Sequence, residues 1–355
     1  MHTRVVVGPG VLARAEAALA RELGTTRRCI VISDNRVARL HAQAFVAALA
    51  ARGARASLLT FPAGERSKTR ETKARLEDGM LRLGADRESV VVALGGGVTG
   101  DLAGFVASTW HRGIPVVQIP TSLLAMLDAA IGGKTAVDLP GGKNAIGTIH
   151  QPVALWADVR LLETLPDRAF RAGLAEAVKL GAACDAALFR SLERDAPRLA
   201  RREERAVASL VARCLAAKGR IVSADPHDAG ARRALNFGHT VAHALETACD
   251  FAIPHGEAVA VGLVAEAAAA RRRTGLSRAD AERITALLSI LGLPVRAPRG
   301  LDRKRLLDAM DRDKKRRGGA VRCALPRRIG SMPRKGDPTV PLDAARDLLP
   351  FLVRN

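Results

Sequence analysis

An α/β domain built on a parallel sheet over residues 1–160, followed by a mainly helical, all-α domain over 161–355, is the architecture the sequence predicts. Three observations carry it. The 355 residues exceed what one core comfortably serves. Short β-rich runs alternate with helical stretches through the first 150 residues, the pattern of a parallel sheet with helices on both faces. From about Leu161 long Ala/Leu/Glu/Arg stretches with helical spacing take over.

Within the first part, Val5-Val6-Val7 and Cys29-Ile30-Val31-Ile32 read as strands, and the Ala/Leu/Arg segments near 11–23 and 37–52 as helices. Ser89–Leu94 has the pattern of a buried strand that stops at Gly95-Gly96-Gly97. Ile114–Ile119 is another, closed by Pro120. In the second part, helical periodicity covers 168–193, 197–222, 236–250, 256–273 and 277–291. The tail after 330 is rich in Pro and Arg before a short closing helix.

Composition narrows the function classes. The formal charge of +20 could suit nucleic acid, but aromatics are only 3% and Tyr is absent, which argues against a stacking platform for single strands. The charge is read as arginine spread over solvated faces, with no nucleic-acid partner. No apolar run approaches the ~18 residues of a membrane span, so no membrane partner is expected. Five dispersed cysteines without a C-x-x-C pair suit reduced thiols in a cytoplasm. The chain has ten lysines against 46 arginines, so a lysine inside a motif carries more information than usual.

Four motifs carry chemistry. Gly95-Gly96-Gly97-Val98-Thr99-Gly100-Asp101 follows a buried strand, where glycines let the backbone approach a pyrophosphate and the next helix offers free N–H groups. Pro120-Thr121-Ser122 ends the next strand, where open α/β sheets bind ligands. Asp128 to Thr135 and then Gly141-Gly142-Lys143-Asn144 place two glycine-flanked lysines, Lys134 and Lys143, where a small hydroxylated anion could sit. Gly133-Lys134-Thr135 has the ending of a P-loop, but no glycine occupies 126–128, where the motif requires one. Finally, Glu176 and Lys179 share a helix face, His239 and His243 lie one turn apart, and His255 follows in Pro254-His255-Gly256-Glu257. Three histidines and a carboxylate suit a zinc centre with three protein ligands, and spacing alone selects His239 and His243 as the ligand pair.

Taken in order, these stretches resemble the 3-dehydroquinate synthases of the sugar phosphate cyclase group. The match runs through Gly64–Lys68, Gly95–Gly113, Pro120–Pro152, Thr164–Pro166, Gly173–Lys179, Leu235–His243, His255-Gly256 and Asp313–Lys315, most of residues 30–330. The resemblance implies a Rossmann-like NAD-binding domain at 1–160 and a metal- and substrate-binding domain at 161–355. NAD would lie across Asp34, Glu65, Lys68, Gly96, Gly97, Asp101, Thr121 and Ser122, with Lys134, Lys143 and Thr164 completing the set. Zinc, or cobalt in its place, would be held by Glu176, His239 and His255, which moves His243 to the substrate side. The substrate, a sugar phosphate, would be surrounded by Asp128, Lys134, Asn144, Lys179, Lys218, Arg232, Asn236, His243 and Lys314, with Arg112 reaching its phosphate. A homodimer is also implied. Lys134, Lys143, Lys179, Lys218 and Lys314 are five of the ten lysines, and Lys68 is a sixth on such a position.

The sequence departs from the family pattern at Ser122, Met126, Ala242, Asp228 and Trp110-His111, none of which removes a proposed ligand. The implied reaction cyclises 3-deoxy-D-arabino-heptulosonate 7-phosphate to 3-dehydroquinate in the shikimate pathway to aromatic amino acids, as a phosphate-eliminating lyase. The competing readings are another sugar phosphate cyclase, whose Lys218, Arg232, Asn236 and His243 equivalents are expected to differ, and a polyol or iron-type alcohol dehydrogenase, which needs no phosphate and carboxylate anchors.

Overall fold

The computed structural model describes residues 3–140, 142–316, 321–333 and 337–352, with the side chains of 312–316 outside that description. The chain divides into two compact units, Met1–Pro166 and Asp167–Asn355.

The first unit is organised by six strands, β1 (Arg4–Gly8), β2 (Arg28–Asp34), β3 (Arg55–Phe61), β4 (Val90–Gly95), β5 (Val116–Pro120) and β8 (Ala154–Asp158). They lie in the order β1-β8-β5-β4-β2-β3, and every pairing is parallel. β4 and β5 are buried along their whole length, which explains why they read as unbroken apolar runs rather than alternating ones. Ile30, Ile32, Val91, Ala93 and Val116 pack from the sheet against Leu76, Met80, Leu102, Phe105 and Val106 of the covering helices.

Between β5 and β8 the chain forms an antiparallel hairpin, β6 (Lys134–Leu139) with β7 (Gly142–Ile149). Lys134 and Lys143, the two glycine-flanked lysines, therefore stand on strands. The hairpin sits tightly on the helix Gly97–Thr109: a Cβ at Gly104 would lie 2.5 Å from Thr135 Cγ2. Only glycine allows that approach.

Among the described residues, the second unit is mainly helical, with one short antiparallel pair of strands, β9 (Val321–Ala324) and β10 (Thr339–Leu342). The periodic stretch at 168–193 is two helices, Asp167–Cys184 and Ala186–Ala200. Asp185 divides them by accepting hydrogen bonds from the backbone N–H groups of Ala187 and Leu188. The helix expected from residue 236 begins at His239 instead, because Gly238 takes a left-handed φ of 84° and the segment before it, Ala231–Asn236, is a tighter 3-10 turn.

Candidate functional site

Apart from Lys134 and Lys143, which stand on the β6–β7 hairpin, the expected nucleotide contacts of the first unit lie at or after the carboxyl ends of sheet strands. Asp34 ends β2, Glu65 and Lys68 follow β3, Gly96, Gly97 and Asp101 follow β4, Thr121 and Ser122 follow β5, and Thr164 follows β8. This is where a parallel sheet gathers ligand-binding loops. Gly95 cannot carry a side chain, since its Cβ would fall 2.3 Å from Thr99 Oγ1. Its carbonyl accepts from the Thr121 N–H at 2.9 Å, tying the β4 and β5 turns together. Asp34 caps the short helix that follows it, accepting from the N–H groups of Arg36 and Val37 at 3.0 Å. Thr164 is hydrogen-bonded to His41 at 2.9 Å, and Ser122 accepts from Ala125 N at 3.3 Å.

Lys68 is the hub of this side. It is 4% exposed, pairs with Asp101 at 2.5 Å and donates to the side-chain carbonyl of Asn144. Asp138 in turn accepts from Asn144 N at 2.7 Å and donates its own backbone N–H to the Lys68 carbonyl at 2.7 Å. Lys143 lies 3.8 Å from Glu65. A residue expected on the substrate, Asn144, is thus joined to one expected on the nucleotide. Burial pushes the Asp101 carboxyl up, against the pull of Lys68. Burial would lower Lys68, but Asp101 and then Glu65 and Asp138 raise it instead. Lys134 is exposed on β6, and Arg112 is exposed in a turn where His111, Arg112 and Gly113 all have positive φ, at 47°, 71° and 126°. Asp128 is on a single short turn, Ala125–Ala129, whose buried Met126 belongs to the core.

In the second unit three helices bring Glu176, His239 and His255 together, with one ligand atom from each within 4.8 Å of the others. His255 Nε2 lies 3.3 Å and His239 Nε2 3.7 Å from the same oxygen, Glu176 Oε1. Close helix contacts beside each histidine make this possible. A Cβ on Gly256 would fall 1.9 Å from the carbonyl oxygen of Ala172, one turn before Glu176. One on Gly262 would fall 2.0 Å from the carbonyl of Gly238, next to His239.

The electrostatics of the trio favour a cation. Both Glu176 carboxylate oxygens are buried without a well-directed hydrogen bond, although Lys179 forms an ion pair with the group. Burial alone would raise this carboxyl; Lys179 and the neighbouring imidazoles hold it well below the ordinary range. Burial and then Lys179 push His239 down to about 3. Burial would also lower His255, yet the carboxylates of Glu176 and Glu246 push it up to about 10. An ionised carboxylate oxygen facing two imidazole nitrogens is a fitting donor set for zinc or cobalt with a position left for substrate.

His243, half of the pair that spacing selects, stands outside this trio. It is exposed, with its ring 6.2 Å from the His255 ring and nearly parallel to it, and 5.5 Å edge-on from His239. Lys179, Lys218 and Arg232 are all buried in this unit, at 2%, 5% and 3% exposure. Arg232 donates to the carbonyl of Pro226 at 3.0 Å, and its backbone N–H joins those of Ala229 and Gly230 on Asp225. Asn236 closes that turn. Lys314 lies in the helix Arg303–Arg316, with its side chain outside the described residues.

Sequence reading passed over Glu246, Glu266 and Asp138. Glu266 accepts from the N–H groups of Gly238 and Val241 at 2.7 and 3.1 Å, capping the helix that starts at His239. Glu246 lies 3.4 Å from His255 Nδ1. Its spacing of three from His243 and seven from His239 marked it as lying on the histidine face; Glu266 and Asp138 act over distances that no local pattern records.

Residues 58–172 match the family model described as 3-dehydroquinate synthase N-terminal, and 173–316 the one described as 3-dehydroquinate synthase C-terminal. A 3-dehydroquinate synthase of Symbiobacterium thermophilum is 45% identical over 329 residues, 92% of each chain. Among solved structures, a 2-epi-5-epi-valiolone synthase from Streptomyces hygroscopicus with NAD+ and Zn2+ bound superimposes with a TM-score of 0.84 at 32% identity, covering 96% of this chain and 92% of that one. A 2-deoxy-scyllo-inosose synthase complexed with carbaglucose-6-phosphate, NAD+ and Co2+ gives 0.85 at 28% identity, covering 96% and 94%.

Proposed function

The chain belongs to the 3-dehydroquinate synthase family, and we propose that it converts 3-deoxy-D-arabino-heptulosonate 7-phosphate to 3-dehydroquinate and phosphate. The observation that carries this reading is the meeting of Glu176, His239 and His255 in a unit that also buries Lys179, Lys218 and Arg232. Metal ligands alone would serve many alcohols. Buried cations suit a substrate that bears both a phosphate and a carboxylate.

NAD, held by Asp34, Glu65, Lys68, Gly96, Gly97, Asp101, Thr121, Ser122, Lys143 and Thr164, would supply a hydride acceptor that is regenerated within each turnover. A divalent cation on Glu176, His239 and His255 would supply Lewis acidity toward a substrate hydroxyl. The remaining work belongs to this chain's side chains. Lys134, Asn144, Lys179, Lys218, Arg232, Asn236, Asp128 and Lys314 would hold the anionic and hydroxyl groups, with Arg112 for the phosphate. His243, exposed beside the His255 ring, is suited to move protons near neutral pH. The division of labour proposed is nucleotide binding by 1–160 and metal and substrate binding by 161–355. A homodimer follows from the family resemblance. A cytoplasmic setting is supported by five free cysteines. Among the described residues no helix is long and apolar enough to cross a membrane.

Incubation with the heptulosonate phosphate, catalytic NAD and zinc tests the reading. Phosphate and 3-dehydroquinate should appear together with no net NADH. Cyclisation of a sugar phosphate without the carboxylate in preference would assign the chain to another cyclase, and stoichiometric NADH on glycerol to a dehydrogenase.

A further inference from the structure

We propose that Glu246 is the positioning residue of the metal centre, fixing His255 through its second ring nitrogen. This rests on the reading of Glu176, His239 and His255 as metal ligands. Glu246 lies two turns along the helix that His239 opens, is 3% exposed, and places Oε1 3.4 Å from His255 Nδ1. The other nitrogen of the same ring, Nε2, lies 3.3 Å from Glu176 Oε1.

A neutral imidazole carries one N–H and one lone pair. A carboxylate at Nδ1 holds the proton on that side, so that Nε2, facing Glu176, is the nitrogen left to a bound cation. The second ligand imidazole is oriented differently, with His239 Nδ1 3.4 Å from the backbone carbonyl of Phe237. One ring thus leans on a full negative charge and the other on a neutral dipole, so removal of Glu246 should weaken His255 far more than any other ligand. The charge also matters directly. Glu176 is already shared with Lys179, and a divalent cation beside that ammonium is better tolerated with a second buried carboxylate nearby.

The test compares metal-free wild type, Glu246→Gln, Glu246→Ala and, as a control, Glu176→Gln. Zn2+ is titrated against a chromophoric chelator, and the Co2+ absorption spectrum is recorded. Glu246→Gln should bind Zn2+ about 10–100-fold more weakly than wild type, Glu246→Ala at least as weakly as Gln, each with an altered Co2+ spectrum. Thermal melting of the metal-free proteins reports on folding. Glu246→Gln binding Zn2+ as tightly as wild type overturns the proposal while leaving the metal reading intact. Wild type binding no more tightly than Glu176→Gln overturns both.

A measurement on the unaltered protein covers the case of a variant that does not fold. In Zn2+-loaded enzyme labelled with 15N-histidine, His255 should show a protonated Nδ1 and an unprotonated Nε2. The opposite tautomer overturns the proposal.

Discussion

Lys68 with Asp101 and Lys179 with Glu176 are the same chemical pair, a buried ammonium against a carboxylate (half-buried in the first, buried in the second), set in opposite surroundings. Around the first pair the neighbours are acceptors: Asn144, Asp138 and Glu65. The Asp101 carboxyl is pushed up and the lysine is the group being competed for. Around the second pair the neighbours are imidazoles, and Glu176 is held well below the ordinary carboxylate range. An acceptor-rich pocket suits hydroxyl groups of a ribose, which donate. An ionised oxygen facing two imidazole nitrogens suits a divalent cation. The comparison teaches that an ion pair has no role of its own; the charges around it decide what the site will accept.

The largest expected effect tests the second pair. Glu176→Gln should lose its bound metal, read by elemental analysis, and lose activity by roughly 10³-fold, the several kcal/mol that Lewis-acid assistance supplies. Retention of both would break the contrast. Next, Lys68→Met should cost about 1–3 kcal/mol in denaturant unfolding, because the half-buried Asp101 loses its cation. Lys179→Met in metal-loaded protein should cost less, since a cation still neutralises Glu176, and equal losses would show that the surroundings do not matter.

Gly262→Ala should destabilise by about 1–3 kcal/mol and lower metal affinity, because the new methyl meets the Gly238 carbonyl and drives His239 from its partners. The same substitution at Gly96, whose Cβ would meet only Ser122 Oγ at 3.6 Å, should melt nearly as wild type.

The smallest effect is a control outside both clusters. Burial disfavours ionised Asp347, but Arg273 and the Asp343 N–H hold its pKa below the ordinary value. A depressed carboxyl contributes stability that is complete above its unfolded pKa of about 4 and is lost as pH falls through the lower folded value. Asp347→Asn should therefore cost about 1 kcal/mol at pH 7, and the gap to wild type should close in acid. A gap independent of pH would mean that the ion pair contributes nothing.

Local pattern was enough for much of this molecule. The apolar runs at 29–32 and 89–94 announced buried parallel strands because a strand covered on both faces has no polar side to show. Gly95–Gly97 announced the turn from β4 into the next helix, where Gly95 lies too close to Thr99 for a side chain. Glu176, Lys179, His239 and His255 were legible as chemistry-bearing residues, and family resemblance rather than spacing chose among the histidines. That choice was beyond local pattern: an i, i+4 pair on one helix is as regular with His243 as ligand as without it.

Tertiary structure decided what depends on distant segments meeting. The β6–β7 hairpin packs on a helix where Gly104 leaves room for Thr135, a contact between segments 31 residues apart. Lys68, Asp101, Asp138 and Asn144 span 76 residues of chain, and Glu246 faces His255 only because Gly256 and Gly262 bring three helices into backbone contact. A sequence records which groups can donate, accept or ligate. Which of them share a charge is set by burial and distance, and those arise only on folding.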